Sequence, residues 1–323
     1  MSLISFNDEV AARGVRMLRS ALGPMVCGWL DNDNVAEVML NPDGRLWIDR
    51  LVGGLFATDS RMEPADAERI IRLVAHHVGG EAHAGSPRLS AELPGRGERF
   101  EGLLPPIVAA PAFSIRKPAR AIHGLSDYVS AGVMTHDEAE LLAGAVAGRK
   151  NILVAGATST GKTTLVNALL AEAAQTSDRL ILIEDTRELQ CAATNFVAMR
   201  TQGGSVTLSD LVRSALRLRP DRIAIGEVRG REALDLLKAW GTGHPGGIGT
   251  LHAGSALGAL LRLEQLIQEA VVTAPRTLIG ETVQLIAVLG GRGDQRRLVE
   301  LVCVEGFDPS GFYRLRPAIP ENS

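Results

Sequence analysis

The run Gly156-Ala157-Thr158-Ser159-Thr160-Gly161-Lys162-Thr163 constrains the fold more than any other stretch of this 323-residue chain. It fits G-x-x-x-x-G-K-[ST] at every fixed position, a match expected by chance in about one chain in a hundred at ordinary composition. Its setting narrows the odds further. The mostly apolar residues 151–155 come before it, and Leu165, Val166, Leu169 and Leu170 supply a helical apolar face after it. Strand, Gly-rich turn and helix together make a phosphate cradle. The glycines let the backbone bend close to phosphate oxygens. Amide N–H groups and the helix N-terminus then offer partial positive charge to a β-phosphate. Lys162 is expected to bridge the β- and γ-phosphates, and Thr163 to ligate Mg²⁺ through its hydroxyl. The segment from Gly156 to Thr164 is thus the expected ATP-binding element.

The chain around this loop has a distinct texture. Short apolar runs at 152–155, 180–183, 223–225 and 247–251 alternate with helical patterns near 162–174, 207–219, 231–240 and 255–272. That alternation predicts an α/β unit with a mainly parallel sheet covered by helices. The last apolar runs flank Pro309-Ser310-Gly311 and read as two strands around a turn. Earlier residues read as a smaller α+β unit. Val10, Val15, Leu18 and Leu22 suggest a helix over 1–22. Val35, Val38 and Leu40 predict a strand, Asn41-Pro42-Asp43-Gly44 a turn, and Leu46, Ile48 and Leu51 its return. Pro64 suits the first turn of a helix over 64–78, with Ile70, Ile71, Val74 and Val78 on one face. Gly- and Pro-rich residues 85–115 carry further short strands. The expected organisation is an N-terminal α+β domain over 1–120, a linker over 121–139 and a nucleotide-binding domain over 140–323.

Composition excludes several classes. Lys and Arg total 34 against 37 Asp and Glu, a net charge of −3. That balance is not histone-like, and aromatics at 4% make a base-stacking platform for single strands unlikely. Sequence-specific nucleic-acid binding is not expected. Cys27, Cys191 and Cys303 stand far apart, so neither a zinc ribbon nor a disulfide framework is expected. The N-terminus has acids early and does not read as a signal peptide. No apolar run approaches 18 residues, so no membrane span is expected and the default location is cytoplasmic.

A nucleotide hydrolase also needs an acid near its metal and a group that orients water. Two acid clusters follow strand-like runs: Glu184-Asp185-Thr186-Arg187-Glu188 after 180–183, and Gly226-Glu227-Val228-Arg229 after 223–225. Open α/β sheets bind ligands beyond the carboxyl ends of their strands, which is where both clusters would project. Helix capping is the plainer use for either acid. Gly243-His244-Pro245-Gly246-Gly247-Ile248-Gly249-Thr250-Leu251-His252 places two histidines around a Gly-rich strand. A histidine at a strand end can donate to a γ-phosphate or relay nucleotide state.

In order, these four blocks resemble the secretion traffic ATPases, where they are the Walker A motif, acidic box, Walker B motif and His box. The wording is similar to the type IV secretion branch, and to its conjugal-transfer ATPases. The four-cysteine zinc insert frequent in the type II secretion branch has no counterpart here. Glu37-Val38-Met39-Leu40-Asn41-Pro42-Asp43-Gly44, residues 93–106 and Ser114-Ile115-Arg116-Lys117-Pro118 extend the resemblance to most of the chain. Gly241 and Gly254 stand where relatives commonly have Asn, which bears on local loop geometry.

The resemblance implies a RecA-like P-loop domain behind a smaller PAS-like α+β domain, a homo-hexameric ring, and ATP with Mg²⁺. By position it makes Glu227 the Walker B acid that acts on water, and Glu184 and Glu188 the acidic-box pair. It places Thr163, Glu188 and Glu227 around the metal, and His244 and His252 in the His box. It makes Arg116, then Arg99, the arginines supplied to the phosphates. It also implies an ATP-driven motor for conjugative type IV secretion. That motor would dock on other components of the apparatus, peripherally at the cytoplasmic face of the inner membrane. The alternatives are an ATP-dependent assembly switch with little turnover, or a type II secretion or pilus ATPase.

Overall fold

The computed structural model describes residues 3–118, 124–202 and 205–319, with side chains from residue 12 onward. Val10 of the expected first helix, and residues 121–123 of the expected linker, lie outside that description for side chains and backbone respectively. The chain divides into two compact units, Met1–Pro118 and Ala119–Ser323.

The first unit contains α1 (Leu3–Asp31), β1 (Val35–Leu40), β2 (Arg45–Arg50), β3 (Gly54–Arg61), α2 (Pro64–His77), β4 (Arg88–Glu92), β5 (Arg99–Leu103) and β6 (Ala112–Arg116). Its six strands form one antiparallel sheet in the order β3-β2-β1-β6-β5-β4. Alternation does the sorting: Val38, Phe100 and Ile115 point into the core, while their strand neighbours are partly exposed. Helix α2 lays Ala67, Ile70, Ile71, Val74 and Ala75 into that core. Helix α1 runs past the expected end at residue 22. Gly23 (φ 76°) breaks it, and Pro24 restarts it toward Asp31.

The second unit begins with α3 (Leu125–Ser130) and α4 (His136–Ala147). It continues through β7 (Ile152–Gly156), α5 (Lys162–Ala173), β8 (Leu180–Glu184), β9 (Phe196–Arg200), α6 (Leu208–Ala215), β10 (Arg222–Ile225), α7 (Glu232–Gly241) and β11 (Ile248–Leu251). It ends with α8 (Ala256–Gln268), α9 (Arg276–Thr282), β12 (Leu285–Gly290), a 3₁₀ turn at Gly293–Gln295, β13 (Arg297–Phe307) and β14 (Tyr313–Pro317). The eight strands run in the order β14-β13-β12-β7-β11-β10-β8-β9. Pairings among β7 to β12 are parallel, while β12 with β13 and β13 with β14 pair antiparallel. Strands β7, β8, β10 and β11 are buried at every position, which matches continuous apolar runs covered on both faces. One core packs α6, α7 and α8 on the sheet, and another packs α3, α4 and α5.

The expected strands at 152–155, 180–183, 223–225 and 247–251 therefore form, as do the helices that follow them. The expectation omits β9, β12, α3 and α9. Strand β12 pairs directly with β7, so the omission conceals one wall of the phosphate loop.

Candidate active site

Parallel strands share a carboxyl edge, and the pairings bring four motif ends there. Ala155 lies opposite Leu251, Gly156 opposite Leu289, and Ile183 opposite Ile225. The phosphate loop, His252, Glu227 and the acidic segment after Glu184 consequently emerge along one rim.

The loop is shaped by backbone signs. Gly156 (φ 155°), Ser159 (φ 65°) and Gly161 (φ 91°) alternate with ordinary residues. Such alternation turns successive N–H groups toward one concave side that suits an anion. A Cβ at Gly156 would lie 2.5 Å from Thr160 Oγ1 and 2.7 Å from the Leu289 carbonyl oxygen, so only glycine fits. Thr160 pins the turn by donating to the Ala157 carbonyl at 2.9 Å. Ala157 and Thr158 are exposed at its crest, Ser159 and Thr164 half-buried. Lys162 is buried and donates from Nζ to the carbonyls of Gly156 (3.1 Å) and Ala157 (2.9 Å).

One imidazole joins that lysine to the acid two strands away. His252 Nδ1 lies 3.2 Å from Lys162 Nζ, and its Nε2 lies 3.2 Å from Glu227 Oε1. An ammonium only donates, so Nδ1 accepts and the ring proton sits on Nε2, facing the carboxylate. Burial, then the Lys162 charge, holds the imidazole below its ordinary pKa, and Glu227 pulls the other way. Glu227 Oε2 accepts from Arg229 Nη2 at 3.0 Å, while Arg229 Nη1 reaches Asp185 Oδ2 at 3.2 Å. Those pairings outweigh burial and keep Arg229 firmly protonated.

Glu184 and Glu188 have different positions. Glu184 is buried, and its Oε2 accepts from the backbone N–H groups of Glu188 and Leu189, both at 2.8 Å. Burial pushes its carboxyl up in pKa, and those two N–H groups pull it back. Glu184 thus shapes the turn that carries Glu188; no helix follows it to be capped, since the next element is β9. Glu188 Oε2 accepts from Thr163 Oγ1 at 3.3 Å. That pair of oxygens beside the loop suits Mg²⁺, which takes one or two protein oxygens together with phosphates and water. Among the described residues no group of three or more His, Cys, Asp or Glu could hold a metal by itself. Glu227, also expected at the metal, is engaged by His252 and Arg229.

His244 lies elsewhere. It precedes β11, and its Nδ1 donates to the Pro220 carbonyl at 2.8 Å, just ahead of β10. It thus occupies the amino edge of the sheet, a strand's length from His252, and does not join the loop within this unit.

Arg99 and Arg116 belong to the first unit, directly opposite one another on β5 and β6. Glu37 faces Arg116 and Glu92 faces Arg99, so acids flank the arginine pair in one row across the sheet. The row shares the face away from Phe100 and Ile115.

Sequence reasoning missed Asn167 and Arg229. Asn167 is fully buried, donating to the Glu188 carbonyl (3.0 Å) and accepting from Gln190 N–H (2.9 Å), which ties the acidic segment to α5. A polar residue inside the apolar face Leu165, Val166, Leu169, Leu170 was the available signal. Arg229, two residues after Glu227, carried only its charge as a clue.

Comparison with known proteins extends this picture. Residues 87–305 match the family described as type II/IV secretion system protein. The conjugal transfer protein TrbB of Rhizobium radiobacter is 50% identical over 297 residues, covering 91% of either chain. The type IV secretion system protein PtlH of Bordetella pertussis is 34% identical, covering 86% of this chain and 93% of its own. Among solved structures, the pilus retraction motor PilT with bound ADP aligns at TM-score 0.61 and 22% identity, over 92% of this chain and 82% of that one. At that identity the likeness speaks for the fold alone.

Proposed function

The chain belongs to the type II/IV secretion system protein family, with a RecA-like second unit, and on that premise we propose that it is the ATPase of a conjugal type IV secretion apparatus. The reading is carried by the His252 bridge, which links the phosphate-loop lysine to the strand-end acid through one neutral imidazole.

In this reading, Lys162 exchanges the carbonyls of Gly156 and Ala157 for the β- and γ-phosphates of ATP, and the loop N–H groups hold the β-phosphate. Thr163 and Glu188 hold Mg²⁺, which when bound draws charge from the phosphate oxygens. Glu227 orients the attacking water and accepts its proton. Arg229 fixes one Glu227 oxygen, and His252 donates its Nε2 proton to the other until the acid is needed. Arg116 and Arg99 contribute positive charge to the transferring phosphate, and the protein works as a homo-hexamer docked on other components of the apparatus. Among the described residues no helix is long and apolar enough to cross a membrane, which fits attachment through protein partners.

The same geometry favours a second reading. Glu227 is held on both oxygens, so a protein that rarely releases it would bind ATP and turn over slowly, acting as an assembly switch.

Measuring Mg·ATP binding and single-turnover hydrolysis in Lys162→Ala and Glu227→Gln tests the assignment. Lys162→Ala should lose binding, whereas Glu227→Gln should bind ATP yet cleave it at least a hundredfold more slowly, the usual scale for a lost general base. Cleavage by Glu227→Gln at the native rate would remove Glu227 from the chemistry.

A further inference from the structure

The side of the phosphate loop away from Glu227 holds a second constellation. Strand β12 leaves the sheet at Gly290, with Leu289 opposite Gly156, and the chain turns back through Gly293–Gln295 into β13. This hairpin stands at the same carboxyl edge as the loop. Its Arg296 lies against Gly161: a Cβ on that glycine would sit 2.9 Å from both Cζ and Nε of Arg296. Tyr128 of α3 is buried in the same core cluster as Leu289, with Leu298 of β13 packed against that cluster and its N–H donating to the Val133 carbonyl at 2.8 Å, so the end of α3 lies along this hairpin. Burial raises the Tyr128 phenol pKa against the pull of the Arg296 charge.

Each of these side chains has a buried polar atom without a partner. Among the described residues only four buried side-chain polar atoms lack a hydrogen-bond partner, and two of them are Arg296 Nε and Tyr128 Oη. Buried donors are nearly always paired, so two orphans beside one phosphate loop call for a common explanation. A guanidinium that only propped the loop would bond its carbonyls, as Lys162 does.

Strand order supplies the direction. Lys162, His252 and Glu227 lie from β7 toward β11 and β10, while the hairpin lies on the β12 side. A nucleoside triphosphate with its γ end toward Glu227 therefore leads its nucleoside half over Gly161 to the hairpin. We propose that Arg296 and Tyr128 form the nucleoside-side wall of the site, Arg296 stacking its planar guanidinium on the base and Tyr128 offering its hydroxyl. Arginine suits this use because its planar cation stacks on an aromatic face while its N–H groups remain free to donate. The proposal rests on the nucleotide reading above.

The test is equilibrium binding of ATP, ADP and inorganic tripolyphosphate, each with Mg²⁺, to the full-length protein and to Arg296→Ala, Arg296→Lys and Tyr128→Phe. Arg296→Ala should weaken ATP and ADP about tenfold, the scale of a desolvated cation–π contact, with tripolyphosphate unchanged. Arg296→Lys should recover only part of the ATP affinity, since an ammonium keeps the cation–π attraction but not the planar stack of a guanidinium. Tyr128→Phe keeps the ring and should weaken ATP and ADP by a smaller factor, again sparing tripolyphosphate. Equal loss for tripolyphosphate would make Arg296 a loop prop or a phosphate ligand, and no loss for ATP would make it a bystander; either overturns the proposal. Binding of tripolyphosphate but not ATP by the native protein would overturn the nucleoside wall alone. Binding of neither would overturn the nucleotide reading and the wall with it.

Discussion

Between Lys162 and Glu227 stands a single imidazole whose tautomer follows from its neighbours. Its depressed pKa has a calculable sign. Between the folded value and the unfolded value of about 6.5, the unfolded chain binds more protons, so stability falls as pH drops through that window. The thermal stability advantage of the native protein over His252→Asn should therefore narrow as pH is lowered from 7 through 6. A gap that widens on acidification would contradict the neutral assignment. Arg229 acts on the reaction only through Glu227. Arg229→Ala should lower kcat while leaving the KM for ATP nearly unchanged, because Glu227 loses one of the two side chains that fix its orientation. A parallel loss in KM would place Arg229 on the substrate instead.

Elements are marked locally where their chemistry is self-sufficient, even where the reading missed it: the start of α4 falls inside the expected linker over 121–139. Thr135 and Glu138 form a reciprocal capping box, Thr135 Oγ1 accepting from Glu138 N at 3.2 Å and Glu138 Oε2 accepting from Thr135 N at 2.7 Å, so the start of α4 is written in four residues. The phosphate loop is equally local, since its glycines and lysine act within one turn. Asn167 shows the opposite case. Its importance comes from Glu188 and Gln190, some twenty residues away, which no helical periodicity reveals. Asn167→Ala should cost about 1–2 kcal/mol in chemical denaturation, because it removes two hydrogen bonds that a fully buried amide makes to the half-buried backbone of the acidic segment. It should also raise the Mg²⁺ requirement by loosening Glu188. Stability unchanged within about 0.5 kcal/mol would show that the acidic segment holds itself. The backbone bonds of Glu184 were hidden for a related reason: a carboxyl at a strand end can face a ligand or the following turn, and the sequence does not mark the turn's N–H groups.

At the scale of the whole molecule, two units of different construction share one chain: an antiparallel sheet bearing the Arg99–Arg116 pair, and a parallel sheet bearing the loop. The alternation of apolar runs and helices made the second legible. The expected parallel strand over 247–251 already implied that His252, after it, leaves at the ligand edge and His244, before it, at the opposite edge; the shared His-box name obscured that separation. If Arg116 serves the transferring phosphate, Arg116→Ala should lower kcat by a factor of about 10³ or more with ATP affinity little changed, as for other arginines that act on phosphoryl transfer. An unchanged kcat would confine it to the charge row of its own sheet. The most direct test of the whole account is the specific rate of ATP hydrolysis across a wide range of protein concentration, with Lys162→Ala and Glu227→Gln alongside. The account predicts a rate that rises with concentration as the ring assembles and that vanishes in both variants. Bound ATP with no hydrolysis at any concentration would contradict it and leave the switch in its place.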